Sequence, residues 1–125
     1  AGTIIKILDS NELTKFKNSF DIIFVDAPCS GTGTWRRDPE LKWKINEKKL
    51  KFFIKTQFEI INQSCIYLKS GGFLIYVVCS LLEDEGEFVI RKFLSNNKSF
   101  FKVDSNLFHP LNASDGFYFA ILKKN

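Results

Sequence analysis

Apolar and polar positions along the chain follow two periodicities, one typical of buried strands and one typical of amphipathic helices. Short apolar runs that break at a small or polar residue predict strands. They cover residues 3–8, 21–26, 73–78, 100–103 and 116–122. The runs at 21–26 and 73–78 are almost continuously apolar, which is typical of buried parallel strands.

Two stretches between these runs predict helices. From residue 47 to 68, apolar side chains recur at helical spacing, at Leu50, Phe53, Ile54, Phe58, Ile61, Cys65 and Leu68. The sequence Lys69-Ser-Gly-Gly72 predicts the end of this helix. Ser80 and Glu83 have capping-box spacing and predict a second helix over residues 83–94. The acids after Ser80 are attributed to the dipole of that helix alone.

Alternating strands and helices predict an α/β fold with a mostly parallel sheet. The 125 residues suffice for one domain or part of one. No apolar run is long enough to span a bilayer and no signal peptide is evident, so we expect a cytoplasmic protein without a membrane partner. Three widely spaced cysteines and a single histidine argue against a disulfide framework and a metal site.

The net charge is +4, and the basic residues are concentrated between positions 36 and 55. Lysine, arginine and two tryptophans in one block suit the phosphate backbone of a nucleic acid. A solvated helix face is the more common explanation of such a block. Charge alone leaves both interpretations open.

Cys29 and Cys79 each follow a predicted strand and precede a turn or helix start. Because ligands bind at the carboxyl ends of strands in open α/β sheets, two thiols there can share a covalent reaction as nucleophile and acid/base. Backbone N–H groups at such positions are expected to stabilise thiolates. Asp26 precedes Cys29 at the same strand end, where its carboxylate can bind a ligand nitrogen. Cys65 lies on the apolar face of a predicted helix and is assigned to the core.

Several motifs occur in a specific order from residue 3 to the end of the chain. They are Asp26-Ala-Pro-Cys29-Ser-Gly-Thr-Gly33, Arg36-Arg37-x-Pro39-Glu-x-Lys42-Trp43, Gln57, Lys69-Ser-Gly-Gly72, Cys79-Ser80-Leu-Leu-Glu-Asp-Glu85-x-Glu87 and Asp115-Gly-Phe-Tyr-Phe-Ala120. In this order the chain resembles the Sun (Nol/Nop) family of RNA cytosine-5 methyltransferases, in particular its bacterial members that act on small-subunit ribosomal RNA. The resemblance implies a Rossmann-like methyltransferase fold with an antiparallel final strand. It also implies S-adenosylmethionine as cofactor and ribosomal RNA as partner.

The resemblance also implies roles for individual residues. Cys79 is the nucleophile that adds to C6 of cytosine, and Cys29 assists release of the methylated base. Asp26 contacts the target base and the methionine end of the cofactor, and Pro28 also binds the cofactor. Asp9 resembles an acidic residue near the adenine.

Two features depart from the family pattern. Val78 stands where the family usually has threonine, and no glycine-rich cofactor loop follows the first predicted strand. We therefore expect residues 1–125 to be the C-terminal portion of a catalytic domain, without the N-terminal cofactor half or the RNA-binding region, and not active alone. One alternative is a non-catalytic RNA-binding remnant of such an enzyme. Another is a DNA cytosine-5 methyltransferase, which the second site at Cys79 disfavours.

Overall fold

The computed structural model describes residues 14–34, 46–109 and 115–125. Within these ranges one sheet contains β1 (Phe20–Asp26), β2 (Leu68–Val78), β3 (Phe100–Phe108) and β4 (Phe117–Lys124). Two helices accompany it, α1 (Glu47–Ser64) and α2 (Glu87–Asn96). Short 3₁₀ segments occur at Thr14–Phe16, Thr32–Thr34, Cys65–Tyr67 and Glu83–Glu85.

The order of strands across the sheet is β1-β2-β4-β3. β1 and β2 pair in parallel, whereas β4 is antiparallel to both β2 and β3. β1, β2 and β3 therefore run in one direction, and only β4 opposes them. This topology confirms the predicted α/β class with mostly parallel strands and an antiparallel final strand. The strand predicted over residues 3–8 lies outside the described residues.

The core lies between one face of the sheet and the two helices. Side chains two residues apart on a strand share a face, and Leu74, Tyr76 and Val78 of β2 are all fully buried. Ile61 of α1 and Phe93 of α2 are buried in the same cluster. Val78, which departs from the threonine expected from the resemblance, is thus a packing residue of the core. On the opposite face, the described part of the chain leaves Ile22 and Phe24 of β1 61% and 63% exposed.

The prediction that residues 69–72 only terminate a helix is wrong. Helix α1 ends at Ser64, and β2 already begins at Leu68. The pairing with β1 passes from Phe20↔Leu68 to Ile22↔Phe73, so residues 69–72 form an irregularity within the strand. Gly71 adopts a φ of 84° there, a conformation that residues with a Cβ rarely adopt.

The capping box predicted at Ser80 and Glu83 is also wrong. Residues 83–85 form a 3₁₀ turn, and α2 begins only at Glu87, with Gly86 as its N-cap. The Ser80 hydroxyl accepts from the backbone N–H of Leu82 at 3.1 Å, and Glu83 is exposed. The second helix is therefore shorter than predicted, because a turn separates it from β2. No helix within the described ranges is long and apolar enough to cross a membrane.

Candidate active site

Two loops meet where the parallel strands β1 and β2 end. We name residues 27–34, which follow β1, the first cysteine loop, and residues 79–86, which follow β2, the second cysteine loop. The backbone N–H of Ala27 donates to the carbonyl of Val77 at 3.2 Å, and that of Gly33 donates to the carbonyl of Cys79 at 3.0 Å. Backbone contact between the segments thus continues beyond the ends of the strands.

A third segment closes against the first cysteine loop. The backbone N–H of Gly116, just before β4, donates to the carbonyl of Gly33 at 2.8 Å. A Cβ on Gly33 would lie 1.8 Å from the carbonyl oxygen of Gly116. Only glycine permits this approach of two backbones, so residue 33 belongs to the framework of the site.

Side chains join the two cysteine loops as well. The backbone N–H of Leu81 donates to the Thr32 hydroxyl at 2.7 Å, and this hydroxyl donates to the Ser80 hydroxyl at 3.2 Å. Ser80 in turn donates to Oε1 of Glu85 at 2.6 Å. Each hydroxyl both accepts and donates, and these buried groups therefore satisfy one another.

The structure brings Cys29 and Cys79 to the same edge of the sheet, and both side chains are half-buried. Burial raises the pKa of the Cys29 thiol to about 11. The backbone N–H groups of Gly31 and Cys79 oppose this shift, whereas the charge of Glu85 and the Cys79 thiol add to it. The Cys29 sulfur therefore lies against the backbone of Cys79 and within electrostatic reach of its thiol.

The expectation that the strand-end position stabilises a thiolate is wrong for Cys29. Backbone N–H groups do favour its charged form, but loss of water from the half-buried sulfur outweighs them. At neutral pH the Cys29 side chain is a thiol.

The other predicted site residues have different surroundings. Asp26 and Pro28 are exposed at the carboxyl end of β1, beside Cys29. Asp9 lies outside the described residues. Cys65 is buried in the core as predicted, with a pKa raised by its burial. The described residues contain no group of three or more His, Cys, Asp or Glu side chains that could hold a metal ion.

Sequence reasoning missed the central residue of the site, Glu85. Its side chain is fully buried, and both carboxylate oxygens accept hydrogen bonds. Oε1 accepts from the hydroxyls of Ser30 and Ser80, and Oε2 accepts from the Ser30 backbone N–H at 2.8 Å and from Nε2 of Gln57 at 2.9 Å. The attribution of this acid to a helix dipole is therefore wrong. The sequence signal that could have identified Glu85 is its place in the motif that follows Cys79.

Gln57 connects helix α1 to the first cysteine loop. It is fully buried, and its Nε2 also donates to the carbonyl of Pro28 at 2.9 Å. Both partners of Nε2 are acceptors, which fixes the orientation of the amide. Its Oε1 is buried and has no hydrogen-bond partner among the described residues.

Comparison with known proteins gives close matches. A protein-family model described as 16S rRNA methyltransferase RsmB/F matches residues 1–123. Ribosomal RNA small subunit methyltransferase B of Pasteurella multocida (strain Pm70) is 36% identical over 124 residues, which cover 90% of this chain and 28% of that protein. The protein of the same name from Thermus thermophilus is 33% identical over 114 residues, covering 82% of this chain and 29% of the relative. The chain thus spans less than a third of the length of these relatives.

Solved structures share the fold. The crystal structure of PH0851 has a TM-score of 0.83 at 30% identity and covers 86% of this chain and 27% of its own. A methyltransferase homolog protein from Pyrococcus horikoshii has a TM-score of 0.75 at 26% identity, covering 92% and 41% of the two chains. NSun6 from Pyrococcus horikoshii with SFG has a TM-score of 0.72 at 22% identity, covering 94% and 33%, and supports the fold alone. These similarities confirm the predicted Rossmann-like methyltransferase fold.

Proposed function

The chain belongs to the 16S rRNA methyltransferase RsmB/F family, and from that membership we propose that it carries the thiols of an enzyme that methylates C5 of a cytosine in small-subunit ribosomal RNA. One observation carries the proposal. Cys29 and Cys79 follow adjacent parallel strands, and the Cys29 sulfur lies against the backbone of Cys79. Two thiols at one sheet edge can act on a single unpaired or flipped base.

Cys79 is the proposed nucleophile. The Cys79 thiol loses its proton to water as its sulfur forms a bond to C6 of cytosine, and the electron pair of the C5–C6 double bond makes C5 nucleophilic. S-adenosylmethionine, when bound, supplies the methyl group that C5 takes up. The C5 proton then leaves to water, its electron pair restores the double bond, and the bond between C6 and the Cys79 sulfur breaks.

Cys29 is proposed to assist this release. With a pKa of about 11 its side chain holds a proton at neutral pH. The thiol can donate that proton to the Cys79 sulfur as the C6–S bond breaks, which makes the sulfur a better leaving group. Solvent then reprotonates Cys29.

Asp26 and Pro28 are proposed to contact the cofactor and the target base. Both are exposed at the carboxyl end of β1, where open α/β sheets bind their ligands. An exposed carboxylate can accept from the ammonium group at the methionine end of the cofactor and from the amino group of cytosine, so the residues at this strand end fit both groups. The role of Asp9 near the adenine stays a prediction.

RNA is the proposed partner of the basic face of α1. Lys48, Lys49, Lys51 and Lys55 are all exposed on this helix, which begins after Asn46. Lys51 contacts Glu47 at 3.2 Å, but an exposed pair of this kind contributes little and can exchange for a phosphate. The exposed lysines can therefore neutralise an RNA backbone.

Because the chain spans 28% of the Pasteurella protein, the test uses a chimera. The 125 residues replace the matching segment of that relative, and transfer of labelled methyl groups to a small-subunit ribosomal RNA transcript is measured beside the parent enzyme. We expect labelled 5-methylcytosine and a covalent protein–RNA adduct that withstands denaturation.

A chimera with the thermal melting of the parent but without methyl transfer would overturn the proposal. RNA binding retained by that inactive chimera would favour the alternative, a non-catalytic RNA-binding remnant. Methyl transfer to a position other than C5 would overturn the proposed chemistry while leaving the family assignment intact.

A further inference from the structure

The carboxylate of Glu85 lies between the residues that directly follow the two thiols. Ser30 comes after Cys29 and Ser80 after Cys79, and both hydroxyls donate to Oε1 of Glu85. Ser30 also donates its backbone N–H to Oε2 at 2.8 Å. One side chain thus binds the neighbours of both thiols.

The same carboxylate is connected to the scaffold. Nε2 of Gln57, on α1, donates to Oε2 of Glu85 and to the carbonyl of Pro28, both at 2.9 Å. The Tyr76 hydroxyl, on β2, donates to the backbone carbonyl of Glu85 at 2.7 Å. Movement of Glu85 would therefore disturb the residues on both sides of Cys29 and the residue after Cys79.

A carboxylate at this fully buried position is energetically unfavourable by itself. Burial of a charged group is strongly unfavourable unless its oxygens are well satisfied. Here four donors occupy the acceptor sites of the two oxygens, and all four belong to neutral groups. An apolar side chain could fill the same space, but it could not accept hydrogen bonds from both cysteine loops and so fix their relative position.

We propose that Glu85 is a positioning residue that holds the Cys29 and Cys79 thiols in the relative position that reaction with one base requires. The proposal rests on the proposed function, in which both thiols act on the same cytosine. Glu85 itself is fully buried, so its side chain is not accessible to RNA. It acts through Ser30 and Ser80, and a displacement of about 1 Å at the reacting groups can lower a rate about a hundredfold.

The charge of Glu85 has a second effect that a purely structural residue would not have. It adds to the burial that raises the pKa of the Cys29 thiol to about 11. Removal of the charge should lower the pKa of Cys29, whereas a shorter carboxylate should keep it raised. Two variants of Glu85 can therefore distinguish the effect of its charge from the effect of its position.

The test compares Glu85→Gln and Glu85→Asp in the 125-residue chain. Dibromobimane, a short bifunctional thiol reagent, measures how often Cys29 and Cys79 are linked, and monobromobimane measures the reactivity of each thiol across a pH series. Peptide mass spectrometry separates both from Cys65. Glu87→Gln is the matched control, because Glu87 binds Tyr118 and Lys102 instead of the cysteine loops.

We expect linkage to fall about tenfold or more in both Glu85 variants. In Glu85→Gln an amide NH2 would face the Ser30 N–H and Nε2 of Gln57, which are both donors. In Glu85→Asp the shorter side chain cannot reach Ser30 and Ser80 together. The pH midpoint of Cys29 alkylation should shift downward in Glu85→Gln and stay near the wild-type value in Glu85→Asp. Glu87→Gln should match the wild type in both measurements. In the chimera, Glu85→Gln should lower kcat and leave the KM for RNA unchanged.

A folded Glu85→Gln variant with wild-type linkage and an unshifted midpoint would overturn the proposal. Loss of the far-ultraviolet circular dichroism of both Glu85 variants would also overturn it, because Glu85 would then act as a general core residue. The thiol measurements need no methyl transfer. An inactive wild-type chimera would therefore count against the proposed function and leave the result on Glu85 standing.

Discussion

The backbone N–H of Gly33 donates to the carbonyl oxygen of Cys79 at 3.0 Å, across 46 positions of the sequence. This bond joins the two cysteine loops directly, without a side chain. It requires the backbone of Gly33 to lie between Cys79 and Gly116, where a Cβ would also lie 3.1 Å from the Cys79 carbonyl oxygen. Geometry at the candidate nucleophile therefore depends on a glycine in the other loop.

Gly33→Ala should destabilise the fold strongly, because its Cβ would lie 1.8 Å from the Gly116 carbonyl oxygen and the backbone would have to move. We expect a loss of about 3 kcal/mol or more in the free energy of unfolding from such overpacking. Urea denaturation measures it. Gly71→Ala is the control, since no atom of the described residues lies within 4 Å of a Cβ at this position, and its positive φ alone should cost about 1 kcal/mol. Equal losses in the two variants would contradict the prediction.

Ser80→Ala removes a hydroxyl that donates to Glu85 and accepts from Thr32 and Leu82. Its partners would stay buried with unsatisfied polar atoms, so we expect a loss of about 1–3 kcal/mol in the free energy of unfolding. Ser95→Ala provides the comparison, because the Ser95 hydroxyl is exposed and donates to the carbonyl of Lys92 within the same helix. Its effect should stay within about 0.5 kcal/mol. A neutral Ser80→Ala would mean that the hydroxyl chain contributes no stability.

Titration of Cys29 should make the fold less stable at alkaline pH. Its pKa is raised in the folded state from 9.0 to about 11, so the folded protein favours the thiol. Stability from this group is fully present below pH 9.0 and is lost as the pH rises through about 11. Urea midpoints between about pH 8 and 11 should therefore fall more steeply for the wild type than for Cys29→Ser, which does not titrate there. An equal fall of the urea midpoint with pH in the wild type and in Cys29→Ser would refute the raised pKa of Cys29.

Removal of each thiol should have a different effect on the reaction of the chimera. Cys79→Ala should lower methyl transfer by about a thousandfold or more and abolish the RNA adduct, because no sulfur remains to add to C6. Cys29→Ala should instead accumulate the methylated adduct, since addition proceeds but release is slow. Denaturing gels with labelled RNA distinguish these outcomes. The division of labour would be wrong if Cys29→Ala left no adduct above the wild-type level.

Sequence reasoning was most successful where local pattern and burial act together. The apolar runs at 21–26 and 73–78 became adjacent parallel strands, and the face of β2 that carries Leu74, Tyr76 and Val78 is fully buried in the core. The helical spacing from residue 47 predicted the start of α1 correctly. The order of motifs around Cys29 and Cys79 indicated the family, since a series of short motifs carries far more information than a single thiol.

Tertiary contacts decided what short-range patterns could not. Ser80 and Glu83 have capping-box spacing, yet the Ser80 hydroxyl donates to Glu85, because the first cysteine loop supplies further donors to the same carboxylate. The irregular strand at residues 69–72 follows from pairing with β1, which a local glycine signal does not reveal. The pKa of Cys29 likewise depends on what surrounds the sulfur. The sequence by itself therefore determined which elements form and which thiols to consider. Only the folded structure decided how buried those thiols are and which buried acid connects them, because burial and hydrogen bonding join residues that are far apart along the chain.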